Sequence, residues 1–421
     1  MNIQTPIQNT PAEQAILDAF SERLSLLPGD GEVMLKRDAA IEAVKAGLPT
    51  RRIEAWHYTD LRRLLAKVPA YDDAAAAEAV PVLIEGSAVL PVLNGVAGKA
   101  TALDGVTVQT VAEKLRDGSY APALERQGDD DAIGALNAAL VADGWFLDIA
   151  DGTVLEKPIE LQNVQAGGQV HTRFAARIGD GVTATIVERQ AGSGGAFVSS
   201  VDNVVIGDGA NVTWLIVQEE PDTATYLGQF NAWIGKDARF SLFVMNAGGK
   251  LVRQEVRVAT KGEGSDFQLR GVNLLSGETH TDVTMVLDHA VPHTGSRELV
   301  RNVVTGRAHG VFQGRINVHQ VAQKTDAKMA CNTLLLSDDG EFSTKPELEI
   351  FADDVACGHG ATVTEIDHGH LFYLMARGID EKTARGLLVK AFVAEVIEGL
   401  EDEPLIEALE AKLDGWFATH G

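Results

Sequence analysis

A cysteine and a histidine one glycine apart, in Cys357-Gly358-His359-Gly360, are the residues best suited to chemistry. The chain has only two cysteines, so a thiol placed two residues from an imidazole is uncommon within it. Eight of the eleven histidines fall between residues 280 and 370: His280, His289, His293, His309, His319, His359, His368 and His370. Such crowding raises a metal-binding reading, because neutral imidazole is a common metal ligand. The spacing argues against a closed zinc site: no H-x-x-x-H lies on a predicted helix, and no C-x-x-C pair exists. Histidines standing singly on strand faces or in turns account better for every member except His359.

These residues lie where a long run of strands gives way to a helical tail. From about residue 151, short apolar alternations are separated by Gly, Asp and Asn turns. A repeat runs through them: Ile178-Gly179-Asp180-Gly181, Ile206-Gly207-Asp208-Gly209 and Ile234-Gly235-Lys236-Asp237, each offset by 28 residues. Each copy leads into an alternating strand, VTATIVE, ANVTWLIV or ARFSLFV, and a looser fourth begins at Lys261-Gly262. A fixed period of strand and turn predicts stacked coils, since one coil cannot bury its inner face alone. A Greek-key sandwich or a jelly roll also supplies many short strands, but neither predicts an equal offset. The expected fold is mainly β: a right-handed parallel β-helix core flanked by N-terminal and C-terminal α-helical domains.

The flanks read as follows. Residues 1–150 form a helical or mixed domain, 151–370 the β-helix and 371–421 a C-terminal helical domain. Apolar spacing predicts helices over 11–27 and 36–47. In RRIEAWHYTDLRRLL, Trp56 and Tyr58 serve as an aromatic plug, with Thr59 or Asp60 capping a short helix. AYDDAAAAEAV reads as a solvated helix or linker, PVLIEGSAVLPVLNG as short strands, and VTVQTVAEKLRDG as a helix. DDDAIGALNAALVADGWFLDIADG reads as a helix and a strand. In the tail, Ala384, Leu387, Leu388, Ala391, Phe392, Val396 and Leu400 make one apolar stripe after an N-cap at Asp380. Leu405, Leu409, Leu413, Trp416 and Phe417 make a second.

Composition narrows the function. The net charge of −24 disfavours nucleic acid and anionic membranes as partners. Two cysteines do not make a disulfide framework. The N-terminus MNIQTPIQNTPAEQ carries no secretory pattern, and no apolar window of about 18 residues spans a membrane. A cytoplasmic protein is expected. No G-x-x-x-x-G-K-[ST] exists, so this chain binds no nucleotide through a P-loop. There is no G-x-S-x-G elbow and no outstanding carboxylate pair.

Residues 296–400 contain SRELVRNVVTGRAHGVFQGRINVHQVAQKTDAKMACNTLLLSDDGEFSTKPELEIFADDVACGHGATV, then LFYLMARGI and ARGLLVKAFVAEVI; EAWHYTDL begins at Glu54. In these stretches the chain resembles the SufB/SufD family of iron–sulfur cluster assembly proteins. Its length, N-terminal helical region and few cysteines bring it nearer to the SufD members. The resemblance implies a non-catalytic scaffold in a SufBCD-type complex, with a SufB-like homologue and a SufC-like ABC ATPase as partners. The last β-helix coils would pair with the former. The C-terminal helices would dock the latter, through Leu387, Leu388, Ala391, Phe392 and Val396. ATP would enter only through the ATPase, and a flavin is left open.

By position, Cys357 and His359 match the family's Cys-Gly-His-Gly segment near the interface between the two homologues. The resemblance makes His359 the candidate ligand, and Cys357 the candidate thiolate, for a transient cluster shared with the partner. Thiolate and imidazole both bind iron, and flanking glycines let a backbone approach closely. Two ligands cannot close a cluster site, so others come from the partner or stay open. A buried structural thiol is the alternative for Cys357 and the expectation for Cys331.

Two other classes compete. A β-helix polysaccharide lyase or hydrolase needs convergent acid–base residues on one face and usually a secretory signal. A histidine-rich metal-storage protein needs stoichiometric metal in the isolated chain.

Overall fold

A computed structural model of the chain describes residues 8–420; the first half of the stretch assessed above for a secretory signal, residues 1–7, lies outside the described residues. Two sheets, of ten and nine strands, face each other, and from Asp143 onward the chain alternates between them strand by strand. Each coil is therefore one strand from each sheet, and successive coils pair in parallel. Thr225–Ile234, for example, pairs over all ten residues with Phe197–Ile206 on one side and Leu251–Thr260 on the other. This is the parallel β-solenoid the 28-residue offset predicts.

The repeated turn shows why the period is kept. Asp151 Oδ1 accepts a hydrogen bond from the Asp180 amide at 3.0 Å, Asp180 Oδ1 from Asp208 at 2.8 Å, and Asp208 Oδ1 from Lys236 at 2.7 Å. One carboxylate per coil thus satisfies the backbone of the next. The preceding glycine leaves room for that stacking: a Cβ on Gly207 would lie 2.7 Å from the Gly179 carbonyl carbon. The lumen is filled by inward-facing Ile, Val, Leu and Phe, with Phe230, Phe240 and Phe267 stacked at centroid spacings of 6.0 and 5.7 Å.

Helices roof both outer faces. Near the N-terminus lie α1 (Pro11–Arg23), α2 (Gly31–Lys45), α3 (Leu61–Leu64), α4 (Val111–Arg116) and α5 (Ala132–Leu140). They pack on the nine-stranded sheet through Ala175, Val201 and Leu227. The tail supplies α6 (His368–Met375), α7 (Glu381–Glu398) and α8 (Glu403–His420). These cover the ten-stranded sheet at Leu215, Phe243, Val272 and Val303.

Local differences from the sequence reading have local causes. The helix expected over 11–27 ends at Arg23. The one expected from 36 begins at Gly31, because Asp30 caps it by accepting from the Val33 amide. Residues 106–110 are a strand rather than helix, and only Val111–Arg116 is helical, started by the Thr110–Glu113 capping box. The alanine run at 74–77 forms no helix. It is too short to nucleate alone, and the backbone beyond it is held extended by buried side chains: Gln162 brackets Val80 and Glu160 accepts from Leu83. The first coil strand, Ala88–Leu93, pairs with Ile159–Gln165, so strands of the ladder occur before residue 151.

The end of the solenoid and its cysteine–histidine pair

The solenoid ends in two ten-residue strands, Glu341–Ile350 and Ala356–Glu365, at the outer edges of their sheets. The strands of the middle coils, such as Phe197–Ile206 and Thr225–Ile234, are mostly buried; these two are half-buried to exposed along their length. Neither has a partner beyond it among the described residues, so each presents a row of unpaired backbone groups. Pro346, which lacks an amide hydrogen, stands in the first of them, opposite Gly314, a placement tolerated at an edge. The strand bearing Cys357 and His359 contains no proline.

Register places the pair. Cys357 lies opposite Ala327 and His359 opposite Met329, both core residues. Strand alternation puts the two side chains on one face, at the end of the stacked interior columns. Cys357 is half-buried against the core and His359 is exposed. Burial raises the Cys357 thiol above its ordinary value, and the charges of Asp326 and Glu298 push the same way, against an opposing hydrogen bond at Ala327. Cys357 is therefore a neutral thiol at pH 7 until a cation or metal lowers its pKa. A Cβ on Gly358 or on Gly360 would meet nothing within 4 Å, so the room these glycines provide is unused within the chain and faces outward. Cys331 is buried, accepts a hydrogen bond from Asn302 Nδ2 at 3.3 Å, and is pushed up to about 11, mainly by burial.

Of the remaining histidines, His280 and His309 pack ring edge to face at 4.9 Å on neighbouring strands. No group of three or more His, Cys, Asp or Glu side chains among the described residues is arranged to hold a metal ion. His289 is buried and bonded to Thr294 and Ser296, and burial lowers it to about 4. His280 is also lowered to about 4 by burial and bonds Thr59 Oγ1 at 2.8 Å. His293 and His319 are exposed in turns, and His368 and His370 are exposed at the start of α6.

The tail stripe divides. Leu387 and Ala391 are exposed, Leu388 and Phe392 are half-buried, and Val396 is fully buried. The face of α7 that meets the sheet is Ala384, Val389, Val393, Val396 and Ile397, so Val396 offers nothing to a partner. Within the tail, the large apolar side chains that are exposed are Phe372 (72%), Tyr373 (55%) and Met375 (41%) on α6 and Leu387 (46%) on α7.

Two features go further than the sequence reading, which has the Trp56 segment as an aromatic plug but not its polar partners. The EAWHYTDL segment is an anchor: Arg253 donates to the Ala55 carbonyl and to Glu255 and Asp282, while Thr59 bonds Asp282 and His280. Asp60, not Thr59, caps α3. The second is Glu298, two coils below His359 in one interior column. Burial raises it to about 8, against the opposing pull of Ser296 and of the Arg297 charge.

Comparison with known proteins agrees with this architecture. A family profile described as SUF system FeS cluster assembly, SufBD core domain, matches residues 161–392. The iron–sulfur cluster assembly protein SufD of Escherichia coli is 29% identical over 387 residues, 88% of this chain and 90% of that protein. A SufBD family protein of Synechocystis is 27% identical, with 91% of each chain covered. SufD of Bacillus subtilis is 28% identical over 68% of each. With the core profile covering more than half its length, the chain belongs to the SufB/SufD family of iron–sulfur cluster assembly proteins and is most like SufD.

Proposed function

We propose that this chain is a non-catalytic scaffold subunit that helps assemble a nascent iron–sulfur cluster at an interface with a SufB-like homologue. The observation that carries the reading is the open solenoid end, where two long unpaired edge strands frame Cys357 and His359. An exposed edge of this length is a liability unless covered, and a homologous solenoid could continue both sheets by strand pairing. Cys357 and His359 then supply two of a cluster's ligands, and the homologue the others. The cluster is cargo, made and passed on.

The second element is energetic. A SufC-like ATPase docks on the C-terminal helices, where Phe372, Tyr373, Met375 and Leu387 are exposed, and ATP acts through that partner. Both cysteines are unpaired, as suits the cytoplasm. No helix of the described residues is long and apolar enough to cross a membrane.

The test is cluster reconstitution. The chain is combined with its SufB-like and SufC-like partners, ATP, iron and a sulfide source, and the cluster is followed by absorbance. His359→Ala should lose most of the cluster signal while complex formation and the melting temperature of the isolated chain are unchanged. Full cluster yield from both His359→Ala and Cys357→Ser would remove this chain from the cluster site.

A further inference from the structure

The middle of the lumen departs from its aliphatic rule. One inward column runs Phe174–Asp202–Phe230–Val256, and another, in the facing sheet, Leu161–Glu188–Ile216–Val244. Asp202 and Glu188 thus occupy positions that hold apolar residues in neighbouring coils, and both are fully buried. Glu188 accepts from Gln190 Nε2 at 2.7 Å and Trp214 Nε1 at 3.1 Å. Among the described residues neither oxygen of Asp202 has a hydrogen-bond partner.

Beside them the column Thr172–Ser200–Gly228–Gln254 carries a glycine. A Cβ there would stand 2.6 Å from Gln254 Oε1 and 2.6 Å from Tyr226 Oη, so two oxygens converge over Gly228. Both are buried and, among the described residues, without a hydrogen-bond partner. Gln190 Nε2 ties Glu188 to this column, donating to Glu188 Oε1 and, at 3.2 Å, to Ser200 Oγ, the register partner of Gly228; Asp202 stands two residues beyond Ser200 on the same strand face. Arg173, whose charge reaches Asp202, is engaged with Asn137 Oδ1 and the Ala123 carbonyl on the other face of the sheet.

We propose that Asp202, Glu188, Tyr226 and Gln254, grouped around Gly228, form an internal site for a divalent cation held by oxygen donors alone. The donor set is two carboxylates, an amide carbonyl and a hydroxyl, the hard ligands that calcium and magnesium take. One divalent charge balances both carboxylates, which a low-dielectric interior otherwise keeps ionised only at high cost. Coils close the lumen on both sides, so the ion enters as the chain folds and pins the middle of the stack. The site is separate from the cysteine–histidine end and does not depend on the function proposed above.

The test uses the full chain, refolded from denaturant with EDTA, with CaCl2, with MgCl2 or with KCl at matched ionic strength. It is then desalted, its metal is counted by mass spectrometry and its melting temperature is measured. The proposal expects about one ion per chain in a divalent arm, with a higher melting temperature than in EDTA. Asp202→Asn and Gly228→Ala should abolish both effects. Tyr226→Phe, which keeps the volume, should weaken them and covers the case in which the other variants misfold. No stoichiometric ion in either divalent arm, uptake in the KCl arm alone, or equal uptake by wild type and Asp202→Asn would overturn it.

Discussion

The guanidinium of Arg253 lies 4.0 Å over the ring of Trp56, joining the N-terminal region to the middle of the solenoid. Both side chains are fully buried, and Arg253 is also ion-paired with Glu255 at 3.0 Å and with Asp282. The aromatic segment is thus a structural plug whose polar partner is a strand residue almost 200 positions away.

Arg253→Met tests that joint. It removes the cation between two buried carboxylates, a change that typically costs about 3–5 kcal/mol. The loss should appear as a lower midpoint in denaturant unfolding. Trp56→Ala should unfold the N-terminal helices at lower denaturant than the β signal in circular dichroism. Arg253→Lys should rescue little, because a lysine cannot reproduce the planar stack and forked contacts. Wild-type midpoints for Arg253→Met would show that the plug is dispensable.

Glu298 should give the stability a pH dependence. Its folded value, about 8, lies above the ordinary 4.5. Between those values the folded state holds a proton that the unfolded state has released. The contribution is therefore fully present below about pH 4.5 and is lost as pH rises through about 8. Glu298→Gln should flatten that slope and be more stable than wild type at pH 8, by a margin on the order of a few kcal/mol. Superimposable wild-type and variant profiles between pH 5 and 9 would contradict the burial of this carboxyl.

The two faces of the tail helices should separate in binding and stability. Phe372→Asp, at an exposed position of α6, should leave stability within about 0.5 kcal/mol of wild type. It should weaken ATPase binding at least about tenfold by calorimetry. Val396→Ala should cost about 2 kcal/mol of stability and leave binding of the folded chain intact. Deleting residues 380–421 is a poorer test, because it would bare the apolar face at Leu215, Phe243, Val272 and Val303.

Thiol labelling distinguishes the cysteines. Cys357 should react slowly with a maleimide and Cys331 not at all until unfolding, since Cys331 is buried and its thiol is pushed up to about 11. Fast labelling of Cys331 in the native chain would contradict its place in the lumen.

The solenoid was legible because its period is enforced by one turn. Asp180, Asp208 and the glycines before them recur because each coil's carboxylate caps the next coil's backbone. The cysteine–histidine pair was legible from residue type and resemblance. Its exposure was not, because nothing in the alternation marks which coil is the last. Asp202 and Glu298 were hidden because alternation gives the two sides of a strand but not which side is inward. The face of α7 was misread because Leu387, Leu388, Ala391 and Phe392 nearly encircle the helix together with Val389 and Val393. Only packing on the sheet chooses Val393 and Val396 as the buried side.

The most direct test of the scaffold account is complex formation at the open end. The chain and its SufB-like homologue are mixed at micromolar concentration and measured by size exclusion with light scattering, for wild type and for Gly360→Glu. The substitution adds a charge where no neighbour lies within 4 Å, so the isolated chain should melt as wild type does. The account predicts a heterodimer with wild type and separate monomers with Gly360→Glu. No complex with wild type, or one that Gly360→Glu leaves equally tight, would show that the solenoid end is not where this protein meets its partner.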